Sequence, residues 1–299
     1  MLTPTENMSP FDITLAADSG FDQIHSMTGL IAKDVKDKVQ DAIFARPPGH
    51  FKNTGVFIGG RNPHVAKDMF QAACDAMVGP FEASVFVDPN GAYTTAASIV
   101  ALIEHKFTEK TGRSLQDVNT AVFGVGPVGM ATAVLLAKQG ANSRICKLTA
   151  SDEKGLAIRF GERYGKKLNW VLAETHSEKL LALQDVEILV CAAKAGIRIL
   201  EVGDLAVAKN LILAADTNAV PPAGIGEVAA GHDGDEITSG DVAFRAIGPM
   251  TIGNVKYKVQ FEMFKRMLND EKAAYLDFPD AFQQAKSVVK KIYEKENAA

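Results

Sequence analysis

The chain has 299 residues, 47 % of them apolar, and a formal net charge of −4, so a sizeable core can form. Its 32 Lys and Arg are scattered along the chain, which excludes the basic stripe of a nucleic-acid surface. No apolar run reaches the roughly 18 residues of a membrane span, the start MLTPTENMSPFD does not read as a signal peptide, and Cys74, Cys146 and Cys191 lack metal spacing, so a cytoplasmic protein with reduced thiols is expected.

In chain order, TGVFIGG (54–60) is a predicted strand ended by glycines, and 63–78 has apolar residues at helical spacing. SVFVDPNG (84–91) is a second strand closed by a turn, and 94–109 is again helical. The polar stretch 111–119 links this part to another unit, where the alternation restarts. Strand 120–124 leads to helix 127–139, and strand 143–147 to helix 152–164. Further strands are predicted at 169–174, 186–193 and 210–216, and such runs, apolar on both faces, suit a covered parallel sheet. From Val255 the tail becomes amphipathic and helical. The expected organisation is an N-terminal α/β domain (1–112), a second α/β domain (113–254), and C-terminal helices (255–299) that pack back on the first.

The strand at 120–124 runs into Gly124, Gly126 and Gly129, spaced G-x-G-x-x-G, with a long apolar helix after it. In this context Gly124 permits a tight turn, Gly126 lets backbone approach a pyrophosphate, and Gly129 allows close helix–sheet packing. Pro127 suits the first helical turn, and with Val128 it opens a helix whose free N–H groups and partial charge favour phosphate. The fold class is therefore α/β with a Rossmann-type doubly wound parallel sheet. An NAD site usually has an acid about 20 residues further on. Here Lys147 stands at that strand end, with Thr149 and Ser151 after it, a set suited to the 2′-phosphate of NADP; Asp152 leaves room for NAD.

Acid–base machinery is sparse. The six histidines lack metal-ligand spacing, no metal site is expected, and a Tyr-x-x-x-Lys pair is missing. One constellation remains, Asn254, Lys256 and Lys258 at the start of the tail, after a loop holding Gly248 and Gly253.

MLTPTENMSPFD, TGVFIGG, VFVDPNGAYTTAA, GVGPVGMATA, DTNAVPPAGIG and AIGPMTIGNVKYK together resemble the NAD(P)-dependent methylene-tetrahydromethanopterin dehydrogenases of methylotrophic bacteria, over nearly the whole chain. The resemblance implies a homo-oligomeric enzyme of one-carbon metabolism (formaldehyde oxidation) that passes hydride from N5,N10-methylene-tetrahydromethanopterin to NADP or NAD. The pterin is then expected in the cleft between domains. Lys256 would orient it, while Asp12 or Asp18 would favour the methenyl cation. Asn90, Thr94 and Thr95 would bind substrate, one threonine alternatively capping the next helix. On the cofactor side, Ala193 and Asn218 would join the glycine turn. Two other readings stand beside this one: the same fold acting on tetrahydrofolate, whose enzymes use the missing Tyr-x-x-x-Lys pair, and a nucleotide-binding sensor without turnover.

Overall fold

The computed structural model describes residues 1–47, 50, 53–148 and 154–296. Contacts among Cα atoms divide the chain into two compact units, residues 1–94 with 257–285, and 95–256 with 286–299. Among the described residues, no helix is long and apolar enough to cross a membrane.

The first unit begins with α1 (Pro10–Asp18) and α2 (Ala32–Phe44), followed by β1 (Gly55–Ile58), α3 (Pro63–Asp75) and β2 (Ser84–Val87). β1 and β2 are apolar and nearly fully buried, and they pair in parallel from Gly55↔Ser84 to Ile58↔Val87. The N-terminal segment is tied alongside, with Leu2 N–H donating to Phe57 O at 2.7 Å and Gly59 N–H to Leu2 O at 3.0 Å. Far along the chain, β10 (Tyr275–Leu276) adds to the other side of β2 in parallel. After β2 the chain enters α4 (Ala92–Thr111). Asp88, fully buried, organises that entry: its carboxylate accepts from Tyr93 N–H at 2.8 Å, Thr94 N–H at 3.3 Å and the Thr94 hydroxyl at 2.6 Å. These helix-start donors have no partner inside the helix and must be met by a side chain.

The second unit holds β3 (Asn119–Phe123), α5 (Pro127–Lys138), β4 (Asn142–Lys147), α6 (Lys154–Arg163), β5 (Asn169–Leu172), α7 (His176–Leu181), β6 (Ile188–Cys191), β7 (Leu213–Asp216), β8 (Asp233–Ser239) and β9 (Val242–Ile247). Its sheet has the order β5-β4-β3-β6-β7-β9-β8. The first six strands are parallel and follow the dinucleotide-binding order, which reverses direction between β3 and β6. β8 closes the edge as an antiparallel hairpin partner of β9. The apolar strand faces build a core that includes Ala121, Phe123, Leu189, Cys191, Ala214 and Phe244.

The remaining elements are α8 (Pro249–Asn269) and α9 (Phe278–Glu296). α8 starts at Pro249, earlier than the amphipathic pattern from Val255 predicts, so Gly253, Asn254 and Lys256 lie inside a helix and the expected loop before them is helical. Pro249 takes a first-turn position, where its missing N–H costs little, and Gly253 is tolerated in the next turn. By contact, residues 257–285 group with the first unit and 286–299 with the second. The latter end of α9 is fixed by Tyr293. Its hydroxyl bonds Asp233, its ring stacks on His105 at 4.5 Å, and the Lys106 ammonium lies 3.8 Å from the ring centre.

Replacing Asp88 by Ala removes the carboxylate that accepts from two backbone N–H groups and from the Thr94 hydroxyl, whose longer bond to Gly91 O at 3.4 Å remains. The expected loss is about 1–3 kcal/mol of stability, read as a lower midpoint in urea at unchanged slope, while Asp88→Asn, which keeps one acceptor oxygen, loses less.

Candidate functional site

Functional groups in α/β sheets gather outside the carboxyl ends of parallel strands, at the point where strand order reverses. In the second unit that point lies between β3 and β6. The chain leaves β3 at Gly124, whose φ of +117° belongs to glycine alone, and an added Cβ would stand 2.4 Å from Ala192 O. Ala192 N–H in turn donates to Phe123 O at 2.8 Å, so the segment after β6, including half-buried Ala193, backs the turn. An added Cβ at Gly129 would lie 2.0 Å from Gly124 O, which is how closely α5 packs against the turn. Gly126 differs. It is exposed, has an ordinary φ of −71°, and a Cβ there would meet nothing within 4 Å. Gly126 precedes α5 without a side-chain cap, and Pro127 and Val128 form the first turn, half-buried. Two glycines thus shape the turn, and the third leaves open space in front of the helix N-terminus.

β4 lies beside this turn, with Phe123 paired to Cys146 and Gly124 N–H donating to Cys146 O at 3.0 Å. The next residue is Lys147, only 3 % exposed. Its backbone oxygen accepts from Ala173 N–H at 2.8 Å, but among the described residues its ammonium has no hydrogen-bond or ion-pair partner. Thr149 and Ser151 lie outside the described residues.

Asn218 is buried, and its side chain is committed to backbone. Its Oδ1 accepts from Gly196 N–H and Val220 N–H, both at 3.0 Å, and its Nδ2 donates to Pro222 O at 2.8 Å. It therefore ties the loop after β7 to the loop after β6. Asp216, to which the sequence pattern assigned no role, anchors the same loop by accepting from Asn218 N–H and Ile225 N–H. Burial raises the Asp216 pKa, and the backbone N–H donors hold it back. Burial likewise pushes the neighbouring Cys191 thiol up to about 12, which makes it an inert packing group.

Gly248 precedes α8, whose first turn holds Thr251. An added Cβ at Gly248 would lie 2.3 Å from Ala229 O, and the Thr251 hydroxyl donates to His232 O at 3.0 Å. Lys256 is half-buried two turns into this helix, and Thr95 is half-buried on α4.

In the first unit, a polar cavity of about 570 Å³ opens beyond the carboxyl ends of β1 and β2. Glu6, Asp12, Arg61 and Asn90 line it together with Thr3 and Ser9. Asp12, 2 % exposed, accepts from Gln260 Nε2 at 2.7 Å. Gln260 is itself fully buried, and its Oε1 has no partner among the described residues. Asn90 takes the left-handed conformation, φ 53°, which asparagine tolerates in a turn. The structure thus brings Asp12 and Asn90 to one cavity. Asp18 does not join them: it ends α1 exposed, and six residues of helix turn it to a different face from Asp12. Thr94 is fully buried with its hydroxyl committed to Asp88, in the capping arrangement.

Sequence reasoning missed Gln260, Arg61, Glu6 and Asp88. Arg61 directly follows the Gly59–Gly60 strand end, a position that marks it as a site candidate; Gln260 sits mid-helix and carries no such signal. Among the described residues, no cluster of His, Cys, Asp or Glu is suited to a metal ion.

Residues 10–90 match the family model described as methylene-tetrahydromethanopterin dehydrogenase, N-terminal. The chain is 36 % identical over 292 residues to an NAD(P)-dependent methylenetetrahydromethanopterin dehydrogenase of Methylorubrum extorquens, covering 95 % of this chain and 96 % of that one. It is 29 % identical over 283 residues to the bifunctional protein MdtA of the same organism, at 94 % of each chain. Among solved structures, ornithine carbamoyltransferase from Pyrococcus furiosus aligns with a TM-score of 0.53 at 12 % identity, over 91 % of this chain and 84 % of that one, a likeness of fold alone.

The open space at Gly126 and the closed space at Gly129 give opposite expectations. Gly126→Ala keeps the melting temperature and weakens dinucleotide binding by an order of magnitude or more, measured by isothermal titration. Gly129→Ala loses stability by about 1–3 kcal/mol or more, as overpacking against backbone demands. Unchanged binding in Gly126→Ala would show that the diphosphate lies elsewhere.

Proposed function

The chain belongs to the NAD(P)-dependent methylenetetrahydromethanopterin dehydrogenase family, and on that premise we propose how its residues serve the oxidation of N5,N10-methylene-tetrahydromethanopterin to the methenyl form, a step of one-carbon metabolism. The match over 95 % of the chain, running through both units, carries this reading.

The dinucleotide is assigned to the turn Gly124–Gly129. The open space at Gly126 and the first-turn N–H groups of α5 fit a diphosphate, which the partial positive charge of the helix start also favours. Ala193 borders the same crevice. When bound, the nicotinamide supplies hydride acceptance. Lys147 distinguishes the cofactor: a lysine at the end of β4, next to the strand pair that leads into the glycine turn, suits the 2′-phosphate of NADP, so NADP is preferred and NAD is accepted more weakly. Asn218 serves here by fixing the loops beyond β6 and β7 rather than by its own contact.

The pterin is assigned to the polar cavity of the first unit, where Arg61 offers donors and Glu6, Asp12 and Asn90 offer acceptors. The methylene carbon lies between two nitrogens whose lone pairs delocalise the positive charge as hydride departs. No proton has to be removed, which accounts for the sparse acid–base machinery. The protein's tasks are placement, worth about 7–11 kcal/mol in favourable cases, and exclusion of water. Asp12 adds a fixed negative charge that favours the cation. Gln260 positions that carboxylate. Lys256 does not line that cavity and has no part in this assignment. The enzyme is further assigned to the cytoplasm as a homo-oligomer; light scattering on the purified protein gives the oligomer's mass.

The test follows the absorbance of reduced nicotinamide with methylene-tetrahydromethanopterin or methylene-tetrahydrofolate and with NADP or NAD. Turnover is expected with the methanopterin substrate; turnover on tetrahydrofolate alone, or none on either, contradicts the reading. Lys147→Ala is expected to lower kcat/KM for NADP roughly 10- to 100-fold, the value of one charge-assisted hydrogen bond of about 1.5–3 kcal/mol, and to leave NAD nearly unchanged. An unaltered ratio removes Lys147 from the cofactor site. Asp12→Asn, which keeps the oxygen facing Gln260, is expected to lower kcat at least about tenfold with little change in KM for the dinucleotide.

A further inference from the structure

We propose that the first unit carries a second ligand site, for a carboxylate on an apolar chain, at the end of its sheet opposite to the polar cavity. β1 runs from Gly55 to Ile58. The polar cavity takes Gly60 and Arg61, beyond the carboxyl end of this strand. A separate cavity of about 330 Å³ takes Asn53, Thr54 and Gly55 at its amino end. The two share no lining residue; they approach each other along the N-terminal segment, where Leu2 lines one and Thr3 the other, and they take opposite ends of β1, so the second cavity is separate from the pterin site.

The floor of this cavity is apolar. Val39 of α2, Phe57 of β1, and Phe264 and Met267 of α8 line it, all buried, and the Phe57 and Phe264 rings pack at 5.2 Å. Its volume falls in the range of small-molecule pockets, which are mainly apolar with a few polar groups that fix orientation.

The rim is basic. Lys38 and Arg46 stand eight residues apart from the body of α2 to just past its end, close to two turns and hence on one face. Both are exposed, and neither has a carboxylate partner among the described residues. Arg46 donates through Nε to Thr54 Oγ1 at 3.3 Å, which leaves its terminal amino groups for another acceptor. His25 and the Met1 amino group also line the cavity, and no described Asp or Glu does. Burial lowers the Met1 amino group to about 6, so Lys38 and Arg46 carry the standing charge near neutral pH. In a chain of net charge −4, a basic rim over an apolar floor selects an anion with an apolar body. A medium-chain fatty acid anion answers both halves: its chain covers the rings, and its carboxylate meets Lys38 and Arg46.

The test is isothermal titration of the full chain with decanoate and with decanol, in the presence of saturating NADP. One saturable decanoate site is expected, with decanol at least about fivefold weaker for lack of the charge-assisted contact. The double variant Lys38→Glu/Arg46→Glu, which alters exposed side chains only, is expected to weaken decanoate by a similar or larger factor. Ala42→Trp, which fills the cavity from α2, is expected to abolish binding. Both variants should keep the wild-type turnover. No saturable decanoate binding, equal binding of decanol, or undiminished binding in the charge-reversed protein overturns the proposal. Each of these outcomes is independent of whether the dehydrogenase reading holds.

Discussion

The parallel pairing of β4 with β3 and β5 is the constraint on which the second unit's candidate site depends, because it holds Lys147, a largely buried residue, at the strand end that follows the Phe123–Cys146 pair. Taking a charge from water costs several kcal/mol unless a partner compensates. The sheet allows no easy retreat, because Lys147 is fixed by pairing to Leu172 and by its strand's register with β3. That register sets Lys147 one residue beyond the strand pair that leads into the glycine turn. On the proposed reading, an anion bound at the glycine turn meets this charge, and Lys147 discriminates between NADP and NAD.

Both units use their parallel strands in the same way. In β1, β2, β6 and β7 mostly apolar residues fill the strands and bury them on both faces, and polar groups gather where these strands end. In the second unit the exit from β3 supplies Gly124 and the exit from β6 supplies Ala192 and Ala193. In the first, the exits from β1 and β2 supply Arg61 and Asn90, with Asp88 holding the chain for the start of α4. The rigid sheets thus set positions, while short loops carry the chemistry.

The parallel strands were legible because continuous apolar runs such as VEILVCAA and NLILAAD suit a strand covered on both faces. β6 and β7 lie within those runs, with their ends trimmed by a few residues. The hairpin of β8 and β9 was not legible. β8 reads DGDEITS, a charged edge strand whose side chains are largely solvated, so it lacks the apolar signal. α1 and α2 were not legible either: α1 is a short helix of nine residues, and α2 is charged along much of its length. At the candidate sites, the geometry of the glycine turn was legible because the backbone demands of Gly124 and Gly129 follow from spacing. Gln260 was not: its pairing with Asp12 spans 248 residues, and only the fold brings such partners together.

The central proposal is that Lys147 binds the 2′-phosphate of the dinucleotide. Calorimetric titration with 2′,5′-ADP and with 5′-ADP tests it without any turnover, since the two ligands differ only in where the second phosphate sits. The account predicts that 2′,5′-ADP binds at least about tenfold tighter, the equivalent of roughly 1.4 kcal/mol. Equal affinities, or tighter binding of 5′-ADP, would contradict it.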